Sequence, residues 1–234
     1  CGFFGDANLT RAVLDAVVPD RPCLIYDGNF HNACVNSKAL QMIGVGADTP
    51  DPLNGHIVRD AAGVATGMLH EEAINWATQA LPQTGDAVRR QGLFAGMAGA
   101  NRHGITGVID PWILDHHARI YSGALGDLTL RVAGACLVTA ADTVESMLTR
   151  LRAYRAAHGG CDFHLNAAKF FLDGGLENRT AALLAPYADA QGGNAPLMFS
   201  QDQIDAMFTA LDAERFQIHV HCIGDAATRA ALDG

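Results

Sequence analysis

Phe216-Gln217-Ile218-His219-Val220-His221-Cys222 runs directly into Ile223-Gly224-Asp225 and a helical pattern. The stretch reads as a buried strand handing over to a helix. Side chains two apart on a strand share a face and stand about 6–7 Å apart, so His219 and His221 look the same way near the carboxyl end. That is the end at which α/β folds carry their chemistry. A second strand end has the same character, Ala167-Ala168-Lys169-Phe170-Phe171-Leu172-Asp173-Gly174-Gly175. Lys169 lies inside an apolar run, where an ammonium is costly to desolvate unless it is paired, modified or neutral.

Working outward, helix and strand alternate from about residue 84. Asp86 and its neighbours open a helix that runs to about Arg102 and stops at His103-Gly104. A strand follows over 105–110 and ends at Pro111, then a helix over 115–125 and a strand over 128–137. Asp142 caps a helix over 143–157, whose Val144, Met147, Leu148, Leu151 and Tyr154 form one stripe. A strand over 166–172, a long Gly-rich connection over 173–200, a helix over 201–214 and the strand over 217–222 complete the series before a last helix. Apolar strands separated by helices imply a parallel sheet covered on both faces. Four such βα units make half of a (β/α)8 barrel, and an open doubly wound sheet is the competitor. No Gly-x-Gly-x-x-Gly turn follows any strand, which weakens the dinucleotide-binding form of that competitor.

Residues 1–83 read differently: a helix over 8–18 up to Pro19, a strand over 22–26, a short helix over 36–43 and a hairpin pairing 56–59 with 65–69. We expect an insertion or lid subdomain over 1–83 and barrel units over 84–234. The chain opens without Met and stops after barely two turns of helix, so it reads as a piece of a longer protein.

About half of the 234 residues are hydrophobic, enough for a large core. A net charge of −9 without a basic cluster argues against a nucleic-acid surface. The six cysteines, at 1, 23, 34, 136, 161 and 222, show no Cys-x-x-Cys spacing. They read as buried free thiols in a reducing, cytoplasmic setting. No apolar run approaches the length of a membrane span. The expected partners are a small molecule and, at most, a second copy in a homodimer.

Six segments stand out in order: Arg21-Pro22-Cys23-Leu24-Ile25; His31-Asn32-Ala33-Cys34-Val35-Asn36-Ser37-Lys38-Ala39-Leu40; Thr49-Pro50-Asp51-Pro52; Thr66-Gly67-Met68-Leu69; Lys169-Phe170-Phe171-Leu172-Asp173-Gly174 with Arg179-Thr180-Ala181; and His219-Val220-His221 with Ile223-Gly224-Asp225. Together they resemble the amidohydrolase superfamily, and within it the YtcJ-like branch (amidohydrolase family 3) that includes N-substituted formamide deformylases. The resemblance implies a partial TIM barrel of the metal-dependent hydrolase fold, spanning about strands two to five. It also implies a divalent metal, zinc by preference, as one ion or two. Metal-activated water would then hydrolyse a carbon–nitrogen bond in a small N-substituted amide or formamide.

Carried over by position, the resemblance makes His221 a metal ligand and Lys169 the strand lysine that is carboxylated and bridges two metals in binuclear relatives. The plainer alternatives are a structural histidine and a Lys169–Asp173 salt bridge. His219 supports the ligand from behind or belongs to the core, and Asp110 is a weaker candidate for the same supporting role. Asp173, Gly174, Arg179 and Thr180 open the long loop and are candidates to contact substrate or to orient ligands, with simple loop chemistry as the alternative, and His31 either reaches the site from the lid or is structural. The family's first His-x-His, a later His and the Asp that serves as general base have no counterparts here, so the chain alone is expected to be inactive. Two other readings stay open: a Schiff-base lyase using Lys169, and a truncated scaffold without an assembled centre.

Overall fold

The computed structural model describes residues 9–28, 30–52, 54–188 and 192–234. The expected opening of the first helix at Asn8 lies outside them. Contacts divide the chain into two units, Cys1–Gln83 and Thr84–Gly234.

The first unit contains α1 (Arg11–Val17), β1 (Leu24–Tyr26), β2 (Asn32–Val35), α2 (Ser37–Met42), β3 (Gly55–Arg59), β4 (Ala65–Glu71) and α3 (Glu72–Ala80). Its sheet is antiparallel, in the order β1-β2-β4-β3. Val35, Leu40, Ile57, Leu69 and Ile74 form the core beneath it. Sequence reading missed β2 and α3. A four-residue strand carries almost no period of its own, and β2 exists because β1 and β4 pair on either side of it. Asn36 caps α2 by accepting from the Ala39 N–H at 2.9 Å. It is fully buried, and its amide also donates to the Val18 and Arg21 carbonyls.

The second unit is α4 (Asp86–Arg102), β5 (Gly107–Ile113), α5 (Asp115–Ser122), β6 (Arg131–Leu137), α6 (Val144–Ala157), β7 (Phe163–Phe171), α7 (Gln201–Ala213), β8 (Gln217–His221) and α8 (Asp225–Asp233). The four strands are parallel and lie in chain order, β5-β6-β7-β8, as the alternating pattern requires of successive βα units. Phe163, Leu165, Ala168 and Phe170 of β7 bury one face against Met147 and Leu151 of α6 and Ile204, Met207 and Leu211 of α7. Ser200 and Gln203 fix the start of α7 as a reciprocal capping box. Gly134 is required where strand and neighbours close up, since a Cβ there would lie 2.3 Å from Leu165 Cδ2 and 2.8 Å from Ile113 Cγ1.

One strand departs from expectation. β5 continues through Pro111 to Ile113, with a register shift between Asp110 and Ile113. β5 is an edge strand, and the shift absorbs the proline where its missing N–H breaks no ladder.

Candidate metal centre

In the β7–β8 pair Lys169 stands opposite His219 and Phe171 opposite His221. Ala168, Phe170 and Leu172 belong to the helix-side core, so strand alternation turns Lys169, Phe171, His219 and His221 together to the other face. Phe171 links the group. The Lys169 amine lies 4.2 Å from its ring centroid, the His221 ring 5.1 Å and the Trp112 ring 5.2 Å.

Lys169 is 5% exposed, and among the described residues no hydrogen bond or ion pair reaches its amine. Burial draws its pKa below the ordinary lysine value, opposed by the nearby Cys222 thiol. Its surroundings therefore disfavour the charged form relative to an exposed lysine. His219 is pulled below the usual histidine value by burial and then by the charge of Lys169. It lines a cavity of about 80 Å³ with Ile109, Ala135, His164, Asn166 and Gln217.

The His221 ring is oriented by backbone. Its Nε2 lies 3.2 Å from the Gly174 carbonyl, and a carbonyl only accepts, so Nε2 is the donor here and in the neutral ring Nδ1 is the acceptor nitrogen. A ligating histidine is commonly held through its second nitrogen in this way.

Asp173 does not pair with Lys169. Its carboxylate is fully buried and accepts from the backbone N–H groups of Ala182 (2.9 Å), Ile223 (2.9 Å) and Gly224 (2.8 Å). Three amides satisfy it, leaving no call on an ammonium. The neighbouring candidates also bond within the loop. Thr180 Oγ1 accepts from the Gly175 N–H, and the Thr180 carbonyl accepts from the Gly174 N–H. Arg179, at φ 58°, lies 4.6 Å from the Tyr187 ring centroid and donates to the Gly192 carbonyl.

Asp110 faces away from this group. It accepts from the Tyr121 hydroxyl at 2.9 Å, and Tyr121 packs on Phe163 on the helix side. Strand alternation is the cause: Asp110 shares the helix-side face of Val108, two residues earlier, and the register shift that follows brings Ile113 opposite Cys136 on that side, while the intervening Trp112 turns to Phe171. In the first unit His31 pairs with Glu71 at 2.9 Å. Glu71 itself has a left-handed φ of 51°.

Sequence reasoning missed Trp112, Phe171 and Gly224. Phe171 was within reach, being two residues from Lys169 on a strand. Trp112 was hidden by the proline that seemed to end β5. Its indole Nε1 is buried with no hydrogen-bond partner among the described residues.

A family model described as amidohydrolase family matches residues 4–234. The chain belongs to the amidohydrolase family. Among curated relatives, this amidohydrolase chain is 30% identical over 231 residues to the exoenzymes regulatory protein AepA of Pectobacterium carotovorum, covering 96% of the chain and 49% of that protein. It is 29% identical to the putative amidohydrolase YtcJ of Bacillus subtilis, covering 96% and 42%. With the N-substituted formamide deformylase of Arthrobacter pascens it shares 37% identity over 123 residues, covering 50% and 22%. The chain thus spans half or less of the length of these relatives. Its fold matches the crystal structure of an uncharacterized metal-dependent hydrolase from Pyrococcus horikoshii with a TM-score of 0.66 at 22% identity, covering 96% of the chain and 43% of that structure.

Among the described residues no group of three or more His, Cys, Asp or Glu side chains could hold an ion. Lys169 is outside that count, because an amine becomes an oxygen donor only after carboxylation. The amidohydrolase chain therefore offers two candidate donors on adjacent strands, His221 through Nδ1 and Lys169 after modification. They fit part of a centre.

Proposed function

We propose that this amidohydrolase segment contributes to a metal-dependent hydrolase of carbon–nitrogen bonds other than peptide bonds, acting on small N-substituted amides or formamides. One observation carries the reading: Lys169 and His221 share a sheet face on paired parallel strands and touch the same ring, with the amine buried and unpaired among the described residues. Family membership and the formamide deformylase relative support it.

Addition of carbon dioxide to the neutral Lys169 amine, with loss of one proton, would give a carbamate that together with His221 would hold a divalent ion, zinc by preference. When bound, the ion supplies Lewis acidity to water and to the scissile carbonyl. Burial around Lys169 excludes bulk water and favours the neutral amine that carboxylation needs. The Gly174 carbonyl keeps His221 in the ligating tautomer. The remaining ligands and the general base are expected outside these 234 residues, and residues 1–83 are proposed as the lid.

The test is metal analysis and hydrolysis assays on the full-length protein. We expect bound zinc and release of formate from N-substituted formamides, with zinc lost in His221→Ala and Lys169→Ala. Robust amidase activity from the 234-residue chain alone would overturn the division of labour. The lowered Lys169 pKa favours one second reading, a Schiff-base lyase. Borohydride trapping of a carbonyl compound on Lys169 in a zinc-free enzyme would establish that reading instead.

A further inference from the structure

Three consecutive residues at the end of β7 grip His221 from different sides. The Leu172 N–H donates to the His221 carbonyl at 3.0 Å, and the Gly174 carbonyl accepts from the imidazole at 3.2 Å. Between them, Asp173 takes the amides of Ile223 and Gly224, two and three residues past His221. The same carboxylate reaches Ala182, on the returning arm of the long loop. The Ala182 carbonyl in turn accepts from the Ala226 N–H at 3.2 Å at the start of α8. The three segments meet so closely that a Cβ on Gly224 would stand 1.8 Å from the Ala182 oxygen.

We propose that Asp173 is the positioning residue for His221: it fixes the Ile223–Gly224 turn and the loop at Ala182, and thereby holds the imidazole against the Gly174 carbonyl. Its place in the loop suggested either substrate contact or ligand orientation, and a fully buried carboxylate with three amide donors has its strong acceptor sites engaged, which leaves the second. The geometry stands apart from any metal. Only its consequence for zinc rests on the proposed function.

The decisive experiment compares wild type with Asp173→Asn, which keeps the volume but turns an NH2 group towards backbone N–H donors. Nitrogen-15 NMR of the metal-free protein, at a pH where the ring is neutral, reads the His221 tautomer, and titration with zinc alone reads affinity. We expect Nε2–H in wild type, mixed tautomers in the variant, and zinc binding weakened by about 10- to 100-fold, the usual effect of losing a group that orients a ligand. Leu211→Ala, in the helix-side core, is the control for lost stability. An unchanged tautomer and affinity in folded Asp173→Asn would overturn the proposal. So would an equal loss of affinity in Leu211→Ala. If Asp173→Asn does not fold, amide exchange in wild type decides: Ile223 and Gly224 protected like the core strands support it, and exchange at open-loop rates overturns it. A full-length wild type that binds no zinc removes the hydrolase reading while leaving the tautomer and exchange measurements decisive here.

Discussion

Gly224→Ala gives the sharpest test of how tightly the end of β8 is held. Gly224 has φ −72°, which any residue can adopt, so on backbone grounds alanine should stabilise by about 0.4–1 kcal/mol through the unfolded chain. Packing dictates the opposite sign. The new Cβ would stand 1.8 Å from the Ala182 oxygen, 2.5 Å from its carbonyl carbon and 2.8 Å from its nitrogen. A tolerable C···O contact is about 3.3 Å, so the two backbones must part by roughly 1.5 Å. The Gly224 bond to Asp173 (2.8 Å) and the Ala226 bond to Ala182 (3.2 Å) cross that gap. Losing one charge-assisted and one neutral hydrogen bond costs about 2–4 kcal/mol. Equilibrium urea unfolding measures it: with m of about 1–3 kcal/mol/M, the midpoint falls by roughly 1–3 M at unchanged m. A midpoint equal to or above that of wild type would refute the packing argument and, with it, the grip on His221.

The remaining predictions concern other parts of the chain. Asp15 is held below the usual carboxylate value by the Ser37 hydroxyl (2.6 Å) and then by the Ser37 N–H (2.9 Å), with burial opposing. A lowered folded pKa stabilises above the unfolded value and is lost as pH falls through the folded one. Ser37→Ala should therefore destabilise near neutrality by at most about 1 kcal/mol once solvent screening is counted, and thermal melts should show the difference narrowing in acid. Burial pushes the Cys34 thiol up to about 11 and Cys136 up to about 12, whereas Cys161 is exposed. Iodoacetamide followed by mass spectrometry should find Cys161 modified before Cys34 and Cys136, which react only after denaturant is added.

The cysteines also show where composition misled. A uniform set of buried thiols was expected, yet Cys161 is exposed and Cys23 and Cys222 are only partly covered. No helix among the described residues is long and apolar enough to cross a membrane.

By itself the sequence determined the βα alternation of the second unit and the sharing of a face by His219 and His221. It also placed Lys169 inside a buried strand. These are properties of short windows, since strand and helix periods and apolar content need no knowledge of distant residues. Tertiary structure decided the rest. Pairing of β7 with β8 set Lys169 opposite His219 and made Phe171 the common neighbour of Lys169 and His221. A register shift between Asp110 and Ile113 turned Trp112 to Phe171. The sequence left Asp173 open between contacting substrate and orienting ligands, and its partners are amides 50 and 51 positions away. Register and long-range acceptance depend on which remote segments the fold brings together, and no local pattern encodes that.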